Sequence, residues 1–167
     1  MNLDHVQRMV AYTFWANRRV WDYVMKLDEA HYHQPYTYSI GSVHAQIVHT
    51  MEVEMLMLRR ISSAEPAPLH KPDAFPTRES VRARWDEIEA AWLAFLPSLT
   101  DADRERTVEY ISVSRGTQFR NRVWELLFQW FNHSTDHRAQ ILALIHQLGG
   151  ETGAQDFLFY SIDNPLP

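Results

Sequence analysis

Nine histidines occur in 167 residues, and two of them, His133 and His137, lie four apart in the apolar run "FNHSTDHRAQI". Four residues of α-helix turn through about 400°, so both rings leave the same face. H-x-x-x-H on one helix face is a metal-chelating spacing, because two ring nitrogens can meet one ion. The plainer alternative is a pair of core histidines bonded to carboxylates or carbonyls, since an imidazole is costly to bury without partners. A third ring changes the balance. His49, within "HAQIVHTMEVE", sits among Val48, Val53 and Leu56. Across a bundle core, one histidine from a facing helix can complete a three-nitrogen site with His133 and His137. Three neutral imidazoles leave coordination positions open for water or substrate, the pattern of catalytic rather than structural centres. His44 lies five residues before His49, about 140° round the helix, and cannot share the ion. Glu52, one turn after His49, and Asp136, between the paired histidines, are candidates to accept the far ring N–H of a ligand. The competing reading for both is a solvated carboxylate on a helix face.

Other chemistries find little support. The chain has no cysteine, which removes disulfides, thiolate zinc sites and a thiol nucleophile, so any thiol must arrive with a substrate. It has no H-E-x-x-H, no Glu-x-x-His set for a di-iron bundle, no Ser-His-Asp signature and, with five glycines, no phosphate-cradling loop. No catalytic side chain and no organic-cofactor site can be named. A net charge of −5 argues against a large nucleic-acid footprint. No apolar run reaches the roughly 18 residues of a membrane span, and "MNLDHVQRMV" is no signal peptide, so the cytoplasm is the expected compartment.

The elements that must position these rings are helical. Apolar residues recur at helical spacing over 3–27, 42–61, 78–96 and 122–148. Read in steps of three and four, the last segment runs Leu127, Trp130, Ser134, His137, Ile141, Leu144, Leu148, which puts His137 and Ser134 on the core seam. Thr77 and Asn121 are candidate N-caps, and Gly149-Gly150 suits a left-handed C-terminal turn. Residues 28–41 read as an aromatic loop, and 62–76, holding four of the eight prolines, as an irregular crossover. "TVEYISVSRGTQF" (107–119) alternates around Arg115-Gly116 like a small β-hairpin, and the apolar "DFLFYSI" should pack back on the bundle. Hydrophobic residues at 46% and charged at 22% suit one globular domain over 1–167. The fold class expected is all-α: a four-helix bundle with long connections and a small hairpin before the fourth helix.

Three stretches in order resemble the DinB/YfiT-like family. "YTFWANRRVW" (12–21) is similar to its Tyr-x-x-Trp-Ala-Asn opening. "SIGSVHAQIVHTMEVEMLMLRR" (39–60) is similar to its second helix, and "FNHSTDHRAQILALIHQLG" (131–149) to its H-x-x-x-H-R-x-Q helix. Ala139 departs from the glycine many members carry. The resemblance implies a four-helix bundle with left-handed threading, usually a homodimer, holding one divalent ion at His49, His133 and His137. It also implies chemistry on low-molecular-weight thiols, since members of known activity are S-transferases or thiol-dependent isomerases.

The reading is therefore a divalent-metal protein, zinc or nickel being the expected ion. It would act on a small molecule as a metal-dependent enzyme, a thiol-dependent S-transferase or a hydrolase, with no nucleic-acid or membrane partner. The alternative is a non-catalytic metal-binding stress-response dimer. The pocket mouth is expected among the ends of the second and fourth helices and loops 28–41 and 107–119. Asn17 could orient a ligand, but an interhelical hydrogen bond is favoured for it. Trp124 and Trp130 are expected in the core, and Arg138 in a salt bridge or an interface. His31, His33 and His70 are expected in solvated loops, and His5 and His146 near helix ends.

Overall fold

The apolar stripes form long helices in the computed structural model, which describes residues 2–112 and 115–165. Helix α1 spans Leu3–Val24, three residues shorter than its pattern. Asn2 caps it by accepting from the His5 backbone N–H, while the His5 ring accepts in return from the Asn2 N–H. Residues 28–41 are not all loop, for Asp28 caps a single helical turn, α2, at Glu29–His33. Helix α3, Val43–Ser62, starts at Ser42 and ends where Ser63 takes a left-handed conformation with φ 58°. The crossover holds one 3₁₀ turn at Pro72–Ala74. Helix α4 follows at Arg78–Phe95, capped by Thr77 as expected, and a short α5 at Asp101–Glu105 leads into the hairpin.

Strands β1 (Thr107–Ile111) and β2 (Gln118–Arg122) pair antiparallel, with Thr107 opposite Arg122 and Ile111 opposite Gln118. The second strand runs three residues further than predicted. Residues 113 and 114, at the tip, lie outside those described. That extension moves the start of the last long helix, α6, to Val123–Gln147. Asn121 is consequently a strand residue rather than the cap. Glu125 accepts from the Arg122 backbone N–H instead, closing the first turn. Gly149, at φ 81°, closes α6, with the Gly150 N–H reaching back to the Ile145 carbonyl. The apolar tail folds as α7, Phe157–Asp163, and Tyr160 packs it against Tyr12 of α1.

Helices α1, α3, α4 and α6 make the four-helix bundle, and α3 packs most extensively on α6. Trp92 and Trp130 stack with centroids 3.9 Å apart in the core, with Phe14 and Trp85 also buried. Trp124 is different. It lies 38% exposed on the outer face of α6, because the core seam passes through Leu127 and Trp130. Among the described residues no helix is long and apolar enough to cross a membrane.

Candidate metal centre

His49 comes from α3, and His133 and His137 from α6, the two helices in closest company. Helical spacing aims the α6 pair at one side, and the packing of α3 brings His49 to face them both, ring centroids 5.1 Å from His133 and 4.7 Å from His137. The Nε2 atoms of His49 and His133 are 3.2 Å apart. One ring nitrogen from each of the three lies within 4.8 Å of the others. An ion at about 2.0–2.1 Å from tetrahedral nitrogens would hold them about 3.3 Å apart. The group therefore has the composition and nearly the spacing to hold a divalent ion.

The ring electrostatics favour the same use. Burial, and then the neighbouring His137, hold His49 down to about 4. Burial, with His137 and His49 beside it, holds His133 down to about 3. Burial lowers His137 as well. All three are neutral donors at physiological pH, the state a metal requires. His137 donates Nδ1–H to Oε1 of Gln46 at 2.7 Å, which leaves its Nε2 lone pair for an ion. Gln46 is fully buried and donates its own amide to Gln140, which in turn donates to Asp136. His133 has no such support behind it: its buried Nδ1 has no partner among the described residues, and its Nε2 faces that of His49.

Gln46→Ala is expected to lower affinity for a divalent ion by about 10–100-fold, the usual cost of removing a group that orients a ligand. Gln46→Glu should recover most of the loss, since a carboxylate accepts the same N–H. Competition with a chromophoric chelator measures both, and an unchanged affinity in the alanine variant would refute this role.

Acid should act on the same rings. Their folded values lie below the ordinary 6.5, so the unfolded chain binds more protons over that interval and stability rises with pH. Ion-free protein should keep its full stability above about pH 6.5. It should then lose stability as pH falls towards about 4 for His49 and about 3 for His133. Each proton adds at most about 1.4 kcal/mol per pH unit. Melting temperatures of chelated protein across this range should fall less steeply in His133→Ala than in the parent.

The other candidates have other duties. Asp136 is exposed and accepts from Gln140, not from a histidine. Glu52 is buried and serves no ring of the cluster. It accepts from the His70 backbone N–H at 3.0 Å, the His70 ring at 2.9 Å and the Arg84 guanidinium at 3.1 Å. Burial pushes its carboxyl up, but those three donors more than reverse this and leave it below the usual range. His70 is thus held by a buried carboxylate rather than merely solvated. His33 lies against His44, ring centroids 4.6 Å apart, and the His44 ring bonds the Phe75 carbonyl, clear of the cluster. His31 pairs with Asp28 on α2, and His146 is exposed in the last turn of α6.

Beneath the cluster lies a network that the sequence reading did not find. Glu54 is fully buried and accepts from Asn17 Nδ2 at 2.8 Å and Trp85 Nε1 at 2.9 Å, with the Ser134 hydroxyl at 3.4 Å. Burial pushes its carboxyl up, against the pull of these donors and of Arg138. Arg138, also fully buried, donates to Asn17 Oδ1, Thr135 and Gln155. Asn17 therefore bridges a buried carboxyl and a buried guanidinium, the interhelical role favoured for it, and among the described residues Arg138 makes no direct salt bridge.

A cavity of about 180 Å³ opens beside His49. Loop 28–41 supplies Ile40 to it, as expected, but the facing wall is Leu69–Pro72 of the crossover, not the hairpin.

The sequence model of the DinB family matches residues 1–164. No curated protein sequence matches the chain. Among solved structures, a conserved protein from Enterococcus faecalis superposes with a TM-score of 0.66 at 11% identity, covering 83% of this chain and 94% of its own. YfiT from Bacillus subtilis, described as "a probable metal-dependent hydrolase with an unusual four-helix bundle topology", gives 0.62 at 16% identity, covering 90% of this chain and 91% of its own.

Proposed function

The chain belongs to the DinB family, and from that premise we propose that it is a metal-dependent enzyme that holds one divalent ion, zinc or nickel, at His49, His133 and His137. The observation that carries the reading is the convergence of three neutral ring nitrogens, with His137 already fixed in the ligating tautomer by Gln46. Three protein donors leave room in the coordination sphere, which suits catalysis better than a purely structural role. Once bound, such an ion lowers the pKa of a coordinated thiol or water towards neutrality.

The protein's own residues would do the rest. Val48, Leu69 and Pro72 give the cavity beside His49 an apolar wall, and His70 and Lys71 give it a polar edge. A small substrate held there has its reactive bond beside the cluster, so proximity supplies part of the rate. The reaction we favour is thiol-dependent S-transfer or hydrolysis, with the thiol brought by the substrate because the chain has no cysteine. We also expect a homodimer, and Phe157, Leu158, Phe159 and Ile162 leave an apolar face open on α7.

Elemental analysis of protein purified without a nickel column tests the first step. One equivalent of metal per chain is expected, and no bound metal with no uptake of zinc or nickel would remove the site. Cobalt-loaded protein tests the second. Cysteine or glutathione should bring up a sulfur-to-metal charge-transfer band, and an unchanged spectrum at millimolar thiol would rule out direct thiol binding. Chelator-sensitive turnover of an electrophile then separates an enzyme from a metal-binding dimer.

A further inference from the structure

We propose that the cavity between the C-terminal half of α3, the start of the crossover and β1 is a second ligand site, for a small organic anion with a flat apolar body. It is separate from the histidine cluster. Arg60, at its wall, lies eleven residues beyond His49 on the same helix, about 16 Å along the axis. The cavity measures about 450 Å³, within the range of small-molecule sites.

The feature that asks for a ligand is Arg60. Its guanidinium lies over the Tyr110 ring, 3.9 Å from the centroid, and is half-buried. Burial lowers its pKa, a sign that its charge is poorly solvated. Buried charges are normally paired. Among the described residues no carboxylate forms an ion pair with Arg60, and the aromatic face beneath it offsets only part of the loss of water. A guanidinium laid flat on a ring keeps its edge N–H groups available, and their fork matches a carboxylate or a phosphate.

The rest of the lining fits such a ligand. Arg59, whose side chain reaches only the Glu65 carbonyl among the described residues, adds a second cation. Arg106 adds a third, but it is already engaged by the Ile61 carbonyl, the Ser63 hydroxyl and, at 3.8 Å, the Asp103 carboxylate. Glu109 is drawn towards Gln118 and Arg120, and Glu65 stands exposed at the rim, so two carboxylates against three guanidinium groups leave the lining positive by one. Leu56, Val108 and Ile111 supply the apolar surface for the body of the ligand.

Phenyl phosphate and benzoate are the probes, titrated calorimetrically into full-length protein at low salt, with inorganic phosphate and phenol as controls. One of the two aromatic anions should bind saturably, one per chain, and more tightly than phosphate or phenol. Which of them wins tells a phosphate site from a carboxylate site. Arg60→Met keeps the apolar stem, and should weaken binding about tenfold or more while chelator leaves it unchanged. Arg59→Met is the second variant should the first fail to fold, with a smaller loss expected. Absence of saturable binding to about 10 mM would overturn the proposal. So would binding indifferent to both arginines, or binding lost on chelation, which would move the ligand to the histidine cluster.

Discussion

His133→Ala is expected to lower affinity for the divalent ion by well over about a hundredfold, whereas His146→Ala leaves it unchanged. Removing a group that merely orients a ligand costs about 10–100-fold, and removing the ligand itself must cost more. His133 contributes a nitrogen 3.2 Å from that of His49, and two imidazoles cannot reproduce a three-nitrogen site. His146 is exposed in the last turn of the same helix, so it controls for the loss of a histidine without loss of the cluster. Stability should move the other way in ion-free protein. The Nδ1 atom of His133 is buried without a partner among the described residues, so replacing the ring removes an unsatisfied polar atom, against the loss of its Nε2 contact with His49. The expected pattern is a chelated variant at least as stable as the chelated parent, and a parent that alone gains melting temperature when zinc is added. Equal gains in both proteins would show that the ion binds elsewhere.

Glu54→Ala should be the most destabilising substitution near the site, at about 3–5 kcal/mol, the range found when one partner of a buried charged set is removed. It strands the indole N–H of Trp85 and the amide of Asn17, and it leaves the Arg138 guanidinium without its nearby counter-charge. Glu54→Gln keeps the volume but aims an amide donor at donors, for about 1–3 kcal/mol. Urea unfolding of ion-free protein measures both. An alanine variant within about 1 kcal/mol of the parent would mean that the network adds little to the fold.

What could be read in the chain depended on range. The His133–His137 pair is a local signal, an i, i+4 repeat on an apolar stripe, and the bundle follows from four such stripes. Glu54 gave no comparable signal. In "HTMEVEMLM" nothing marks it out from Glu52, yet both Glu52 and Glu54 are buried. The available clue was that α3 is apolar nearly all round, which marks a helix enclosed by others. Its partners Asn17, Trp85 and Ser134 lie 31 to 80 residues away, beyond any periodicity. Gln46 was missed for the same reason, because its bond to His137 spans 91 residues. The crossover has no repeat to read, so the wall it builds beside His49 and the hold of Glu52 on His70 emerged only from the fold. The hairpin was placed correctly but cut short, because "RNR" lacks apolar alternation although it continues β2.

The place of Gln155 bears on how the interior is closed. Arg138 donates to Asn17 and Thr135, which precede it in the chain, and also to the side-chain oxygen of Gln155, whose backbone carbonyl takes the Tyr12 hydroxyl. Without that residue, a bundle already containing all three histidines would have a buried cation short of a partner. The segment after α6 thus works as a clasp, tying α1 to α6 one residue away from His137.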